Sequence, residues 1–135
     1  MVIVSVDLGQ KRTGIAACDR DEILCSPVCV VHSETHKVVL DRVLEVCAER
    51  GAEAIVVGMP CNMDGSESER TVVTSSFVRK LKGRTKLAVH TIDERLTTVE
   101  AEELWGKARH GKARADIDAL SAVIILEDYL SNKHI

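Results

Sequence analysis

Three Val- and Ile-rich runs follow one another before any helical period appears, and that order narrows the possible folds more than any other feature of the chain. Met1 to Val6 alternates and is rich in β-branched residues, and Asp7-Leu8-Gly9 ends it with a turn. Thr13 to Cys18 and Ile23 to Val31 read as two more strands joined by the polar turn Asp19-Arg20-Asp21-Glu22, which makes an antiparallel meander. Pro27 has no amide donor, so the third strand belongs at a sheet edge or carries a bulge. From Ser33 onward the period lengthens. Val39, Leu40, Val43, Val46 and Cys47 share one helical face, with Ser33 as cap and Gly51 as the stop. Ala54 to Val57 is a short buried strand, halted by Gly58-Met59-Pro60. The spacing of Ser66 to Glu69 fits a capping box for a helix carrying Val72, Val73, Ser76, Phe77 and Leu81. Lys86 to Ile92 is a fifth strand, Thr97 with Glu100 caps a helix through about Trp105, and a basic loop from Gly106 to Arg114 leads to an apolar helix from about Asp116 to Leu130. Strands first and strand-helix alternation afterwards predict an α/β fold: a mixed sheet with helices on both faces.

With 135 residues, 45% of them hydrophobic, the chain suffices for one core and is short for two, so residues 1–135 are expected to form one domain. No cationic, apolar leader stands at the start and no apolar run is long enough to span a bilayer, so the expected setting is the cytoplasm, away from membranes. The five cysteines are odd in number, lack Cys-x-x-Cys pairing and lie mostly in apolar runs, which argues against zinc and disulfides alike. Cys61, in a polar loop, is still best read as an unreactive thiol. A formal net charge of −3 argues against non-specific coating of nucleic acid, yet positive charge gathers at Lys11-Arg12, from Arg79 to Lys86 and from Lys107 to Arg114. One Phe, one Trp and one Tyr nearly exclude a base-stacking platform, so any nucleic acid would be gripped by backbone or shape.

Carboxylates stand at the ends of buried elements far apart in sequence, which suggests a divalent-metal site assembled by folding. Asp7 ends the first strand at a place where open α/β sheets bind ligands; a metal-bridging role and an Asx turn account for it equally well. Asp93-Glu94-Arg95 follows the fifth strand, and periodicity does not say which acid faces a site. Asp118 shares a helical face with Ser121, Ala122, Ile125 and Tyr129, whereas Asp116 reads as an N-cap. Oxygen-only ligands from Asp7, Glu94 and Asp118 suit Mg²⁺ or Mn²⁺, and a pair of such ions about 4 Å apart would serve phosphodiester hydrolysis. Lys11, Arg12, Arg70 and Arg95 could clamp substrate phosphates. His90 and His110 read as ordinary solvated histidines.

Four blocks carry a resemblance: Asp7-Leu8-Gly9-Gln10-Lys11-Arg12-Thr13-Gly14-Ile15-Ala16; Val57-Gly58-Met59-Pro60 with Met63-Asp64-Gly65-Ser66; Asp93-Glu94-Arg95-Leu96-Thr97-Thr98; and Asp118 before Ser121-Ala122-Val123-Ile124-Ile125-Leu126. In order and end to end, they resemble the YqgF/RuvX family of pre-16S rRNA nucleases, also called Holliday-junction-resolvase-like proteins. The resemblance implies an RNase H-like fold with a five-stranded mixed sheet flanked by helices, and an acidic triad on Asp7, Glu94 and Asp118, with Asp93 and Asp116 as neighbouring alternatives for metal. It also places Lys11, Arg12, Arg70 and Arg95 at basic positions toward nucleic acid. The implied activity is metal-dependent cleavage of structured RNA in maturing the 5′ end of 16S rRNA. Cleavage of branched DNA, which would call for a homodimer rather than a monomer, is the rival, and a non-catalytic RNA-binding assembly factor is a second one. An actin-like nucleotide-binding module, suggested by Asp-Leu-Gly before Thr13-Gly14, would need twice this fold.

Overall fold

The computed structural model describes residues 1–62, 64–94 and 114–133, the side chains of 114–118 excepted. The elements run β1 (Ile3–Asp7), β2 (Arg12–Cys18), β3 (Cys25–His32), α1 (His36–Arg50), β4 (Ala54–Pro60), α2 (Glu69–Arg84), β5 (Ala88–Glu94) and α3 (Arg114–Lys133). The expected helix from Thr97 and the basic loop up to residue 113 lie outside the described residues, as do Arg95 and His110.

One five-stranded sheet has the order β3-β2-β1-β4-β5. β1, β2 and β3 pair antiparallel as the meander required, and β4 and β5 join β1 in parallel. Pro27 sits on the edge strand β3, and the β2–β3 register shifts between Ile15 and Ala16, opposite that stretch.

Alternation along the strands sorts the side chains into two layers. On one face Val4, Val6, Ile55 and Val57 pack with Val39, Val43, Phe77 and Leu81 of α1 and α2. On the other, Ile3 and Val56 pack with Ile125, Leu126 and Leu130 of α3. Ser5 Oγ, fully buried, donates a 2.7 Å hydrogen bond to the carbonyl of Ala122. Contacts that pass from Ile125, Leu126 and Leu130 to Ala122 as β1 advances from Ile3 to Ser5 show that α3 runs against β1. The start of α3 therefore lies at the end of β1 that carries Asp7.

Helix boundaries depart from the sequence reading at the caps. Ser66 is taken up by an Asx turn, its amide donating to Asp64 Oδ1 at 2.9 Å, so the capping box falls instead on Ser68 and Thr71. Thr71 Oγ1 also donates to the Pro60 carbonyl. That anchorage sets the phase of α2: Thr71, Thr74, Phe77, Val78 and Leu81 are buried, and Val72 and Val73, expected in the core, are exposed. Ser33 does not cap α1; the N-cap is Thr35, whose amide donates to Ser33 Oγ at 3.0 Å. Gly51 closes α1 at φ 66°, a left-handed conformation that glycine adopts without a steric penalty. β4 and β5 run further than apolar composition suggested, to Pro60 and Glu94, because they pair with each other to the end. Conversely, Ile23 and Leu24 lie in the exposed β2–β3 turn rather than in a strand. Among the described residues no helix is long and apolar enough to cross a membrane.

Candidate active site

Asp7 and Glu94 close β1 and β5 at the same edge of the sheet, with β4 between them. Adjacent strands lie roughly 4.8 Å apart, so the two backbones are about 10 Å apart, a gap that side chains can narrow. Asp7 follows Ile3 and Ser5 in alternation and so faces α3. On β5, Ile92 packs into the α3 layer, Val89 into the α1–α2 layer, and His90 stacks on Tyr129 of α3 with ring centroids 5.5 Å apart. Glu94 therefore shares the α3 face with Asp7, half-buried with Oε1 shielded from solvent, while Asp93 points the other way and is exposed.

Between the two acids the surface of β4 is Gly58. A Cβ built there would stand 2.5 Å from Ile125 Cδ1 and 3.1 Å from Glu94 Cγ, so a larger residue would have to displace both side chains from over the strand. Gly9, just past Asp7, is constrained more tightly, since the Arg12 carbonyl, a backbone group, occupies the space a Cβ would need. Its amide donates to Thr13 Oγ1 at 3.3 Å, fixing the turn that leads out of β1. Asp118 lies one turn before Ala122 in α3, in the part of the helix that begins near the Asp7 end of the sheet; its side chain and that of Asp116 are outside the described residues. Among the described residues no three His, Cys, Asp or Glu side chains cluster closely enough to hold a metal. Two carboxylates facing one helix from either side of β4 nonetheless form a hard, oxygen-only donor set, which suits a divalent cation completed by a further acid.

The basic residues spread around this edge. Lys11, in the β1–β2 turn, and Arg12, the first residue of β2, are exposed. Arg70, at the start of α2, extends to the other side of the β1–β2 turn, where Nη2 donates to the Leu8 carbonyl at 3.2 Å. There it enters a cleft of about 520 Å³, with Gly9, Gln10, Glu34, His36 and Glu69 also in its wall. His36 meets Phe77 edge to face at 5.6 Å, and burial, with Lys80 adding to it, holds its imidazole below the ordinary histidine range. Neither Gln10, Glu34 nor His36 had stood out in the sequence, because a cleft walled from two helix starts and a turn has no linear signature. The Gly in Val57-Gly58-Met59 was the one overlooked local signal, since a glycine inside a strand marks a close approach. None of the cysteines is in a disulfide, all are buried or half-buried, and burial pushes Cys25 up to about 12.

A family model described as RuvX, Holliday junction resolvase, matches residues 1–132. A protein of Bradyrhizobium sp. (strain ORS 278) named "Putative pre-16S rRNA nuclease" is 40% identical over 130 residues, covering 95% of this chain and 81% of its own. A like-named protein of Azotobacter vinelandii is 36% identical over 134 residues, covering 98% and 94%. Among solved structures, T. thermophilus RuvC in complex with a Holliday junction substrate superposes with a TM-score of 0.61 at 16% identity, over 99% of this chain and 96% of that one. The fowlpox virus Holliday junction resolvase gives 0.58 at 11% identity over the whole of both chains. At such identities these two show the fold alone, and the fold is RNase H-like.

Proposed function

The chain belongs to the RuvX family, a family of nucleases that hydrolyse phosphodiester bonds, and we propose that it cuts precursor 16S rRNA toward the mature 5′ end with a divalent ion held by Asp7, Glu94 and Asp118. The observation that carries the site assignment is the shared face of Asp7 and Glu94 over Gly58. The cytoplasm, where ribosomal precursors are processed, is the proposed setting.

Mg²⁺ or Mn²⁺ at these carboxylates supplies Lewis-acid relief of the charge that builds on phosphate oxygens during hydrolysis. Everything else falls to the chain. Three acids cannot all be charged and close without a cation, so their own repulsion favours cation capture over an empty cluster. Gly58 lets the Glu94 side chain and Ile125 Cδ1 lie over β4 between the two strand ends. Lys11 and Arg12, at the start of β2, are placed to hold the phosphate backbone as it crosses the strand ends, and Arg95 would do so beside Glu94. Arg70, pre-set by the Leu8 carbonyl, reaches nucleic acid on the far side of the turn. Structured RNA is the proposed substrate because that is what the relatives' names specify; the resolvase likeness rests on fold, which does not choose a substrate.

A side-by-side assay in Mn²⁺ tests this reading, offering a 16S precursor 5′-leader RNA and a four-way DNA junction to the wild type and to Asp7→Asn. Cleavage of the RNA, lost in Asp7→Asn, is the expected result. Cleavage of the junction alone would replace rRNA maturation by junction resolution, and the chain would then be expected to act as a homodimer rather than a monomer.

A further inference from the structure

The cleft behind the β1–β2 turn is not used by the chemistry above, yet it opens beside it. Asp7 points to α3 and Leu8 to the opposite layer, so the turn forms a ridge with the acidic site on one slope and the cleft on the other. A cleft of about 520 Å³ lies within the range of small-ligand pockets. Its wall combines three kinds of group: Glu34 and Glu69, which only accept; Arg70, which only donates; and Gln10 and the half-buried His36, which do both. Two carboxylates make it a poor home for phosphate. They suit a neutral ring that presents adjacent N–H donors on one edge and acceptors on another. Guanine is such a ring: its O6 and N7 accept from an Arg fork, and its N1–H and N2–H₂ donate to a carboxylate.

We propose that this cleft is a guanine-selective pocket for a nucleotide adjacent to the one whose phosphate lies at the acidic edge, an inference that rests on the nuclease reading. Arg70, tethered to the Leu8 carbonyl, takes the acceptor edge of the base; Glu34 or Glu69 takes its donor edge. Leu8 and Val73 give the ring an apolar wall. The pocket also supplies what the composition withholds, since a chain with so few aromatic rings must hold a base by its edges rather than by stacking. Extruding a base costs least where it is already unpaired, so the pocket selects substrates with an unpaired guanine beside the cut.

Titration of the isotope-labelled full chain with guanosine, adenosine, cytidine and uridine 5′-monophosphates, without metal, tests this by amide shifts. The expected result is shifts at Gly9, Gln10, His36 and Thr74 with a preference for guanine of about tenfold, the scale of one bidentate base contact. In Glu34→Gln/Glu69→Gln that preference falls to near unity. Shifts of equal size with all four nucleotides, or none at millimolar concentration, would overturn the pocket. Because no cleavage is read, the outcome is separable from the nuclease reading: a chain that binds guanosine monophosphate but cuts nothing keeps the pocket and loses the nuclease.

Discussion

Gly58 shows how much can rest on one missing side chain. A methyl there would press on Ile125 Cδ1 and Glu94 Cγ at once. Gly58→Ala should destabilise the fold by about 1–3 kcal/mol, as overpacking does, and should reduce cleavage further by displacing Glu94. Denaturant unfolding and cleavage rates measured on the same preparation check both effects; unchanged cleavage would mean that Glu94 need not lie over β4. A different residue, Glu22, ties stability to pH on the acid side. Glu22 accepts from the N-terminal ammonium at 3.0 Å and from Lys133 Nζ at 3.1 Å, and these cations hold its carboxyl down at about 2. A depressed carboxyl gives stability that is fully present above its ordinary pKa near 4.5 and drains away as pH falls toward 2. Melting temperatures of wild type and Glu22→Gln should therefore converge across that window, and parallel curves would deny the ion pairs a role.

At the scale of elements, α3 is the piece that joins the core to the site. Its apolar residues from Ala119 to Leu130 fill one sheet face, and Ser5 ties it to β1. Ser5→Ala removes that buried hydrogen bond and is expected to cost about 1 kcal/mol, read as a shift in urea midpoint with an unchanged slope. The meander, the edge position of Pro27 and the order of elements were legible in the sequence, because β-branched alternation and turn residues report local structure directly. The phase of α2 was not. Val72 and Val73 looked like core residues, but Thr71 is pinned to the Pro60 carbonyl, and Ser66 is engaged by Asp64 before it can cap anything. The first contact joins α2 to the end of β4 and the second lies within the loop between them, and a periodicity count sees neither.

For the molecule as a whole, the sheet order is what brings acids far apart in sequence to one edge. β4 inserts between β1 and β5, and parallel pairing brings Asp7, Gly58 and Glu94 to one edge, although β1 and β5 are separated by most of the chain. Asp7 was legible as a candidate because it closes a buried strand at a glycine turn, although an Asx turn accounted for it equally well. Which of Asp93 and Glu94 faces α3 was not legible from the residues alone, since a strand covered on both faces has no polar side to announce; the packing of Ile92, His90 and Gly58 shows that Glu94 does. The measurement that tests this most directly compares Glu94→Gln with Asp93→Asn on a 16S precursor 5′-leader RNA in Mn²⁺. Loss of several kcal/mol of transition-state stabilisation should slow Glu94→Gln by at least about 100-fold, while Asp93→Asn stays within a few-fold of wild type. The opposite order, with Asp93→Asn inactive and Glu94→Gln active, would contradict the assignment of the catalytic edge to the face shared with α3.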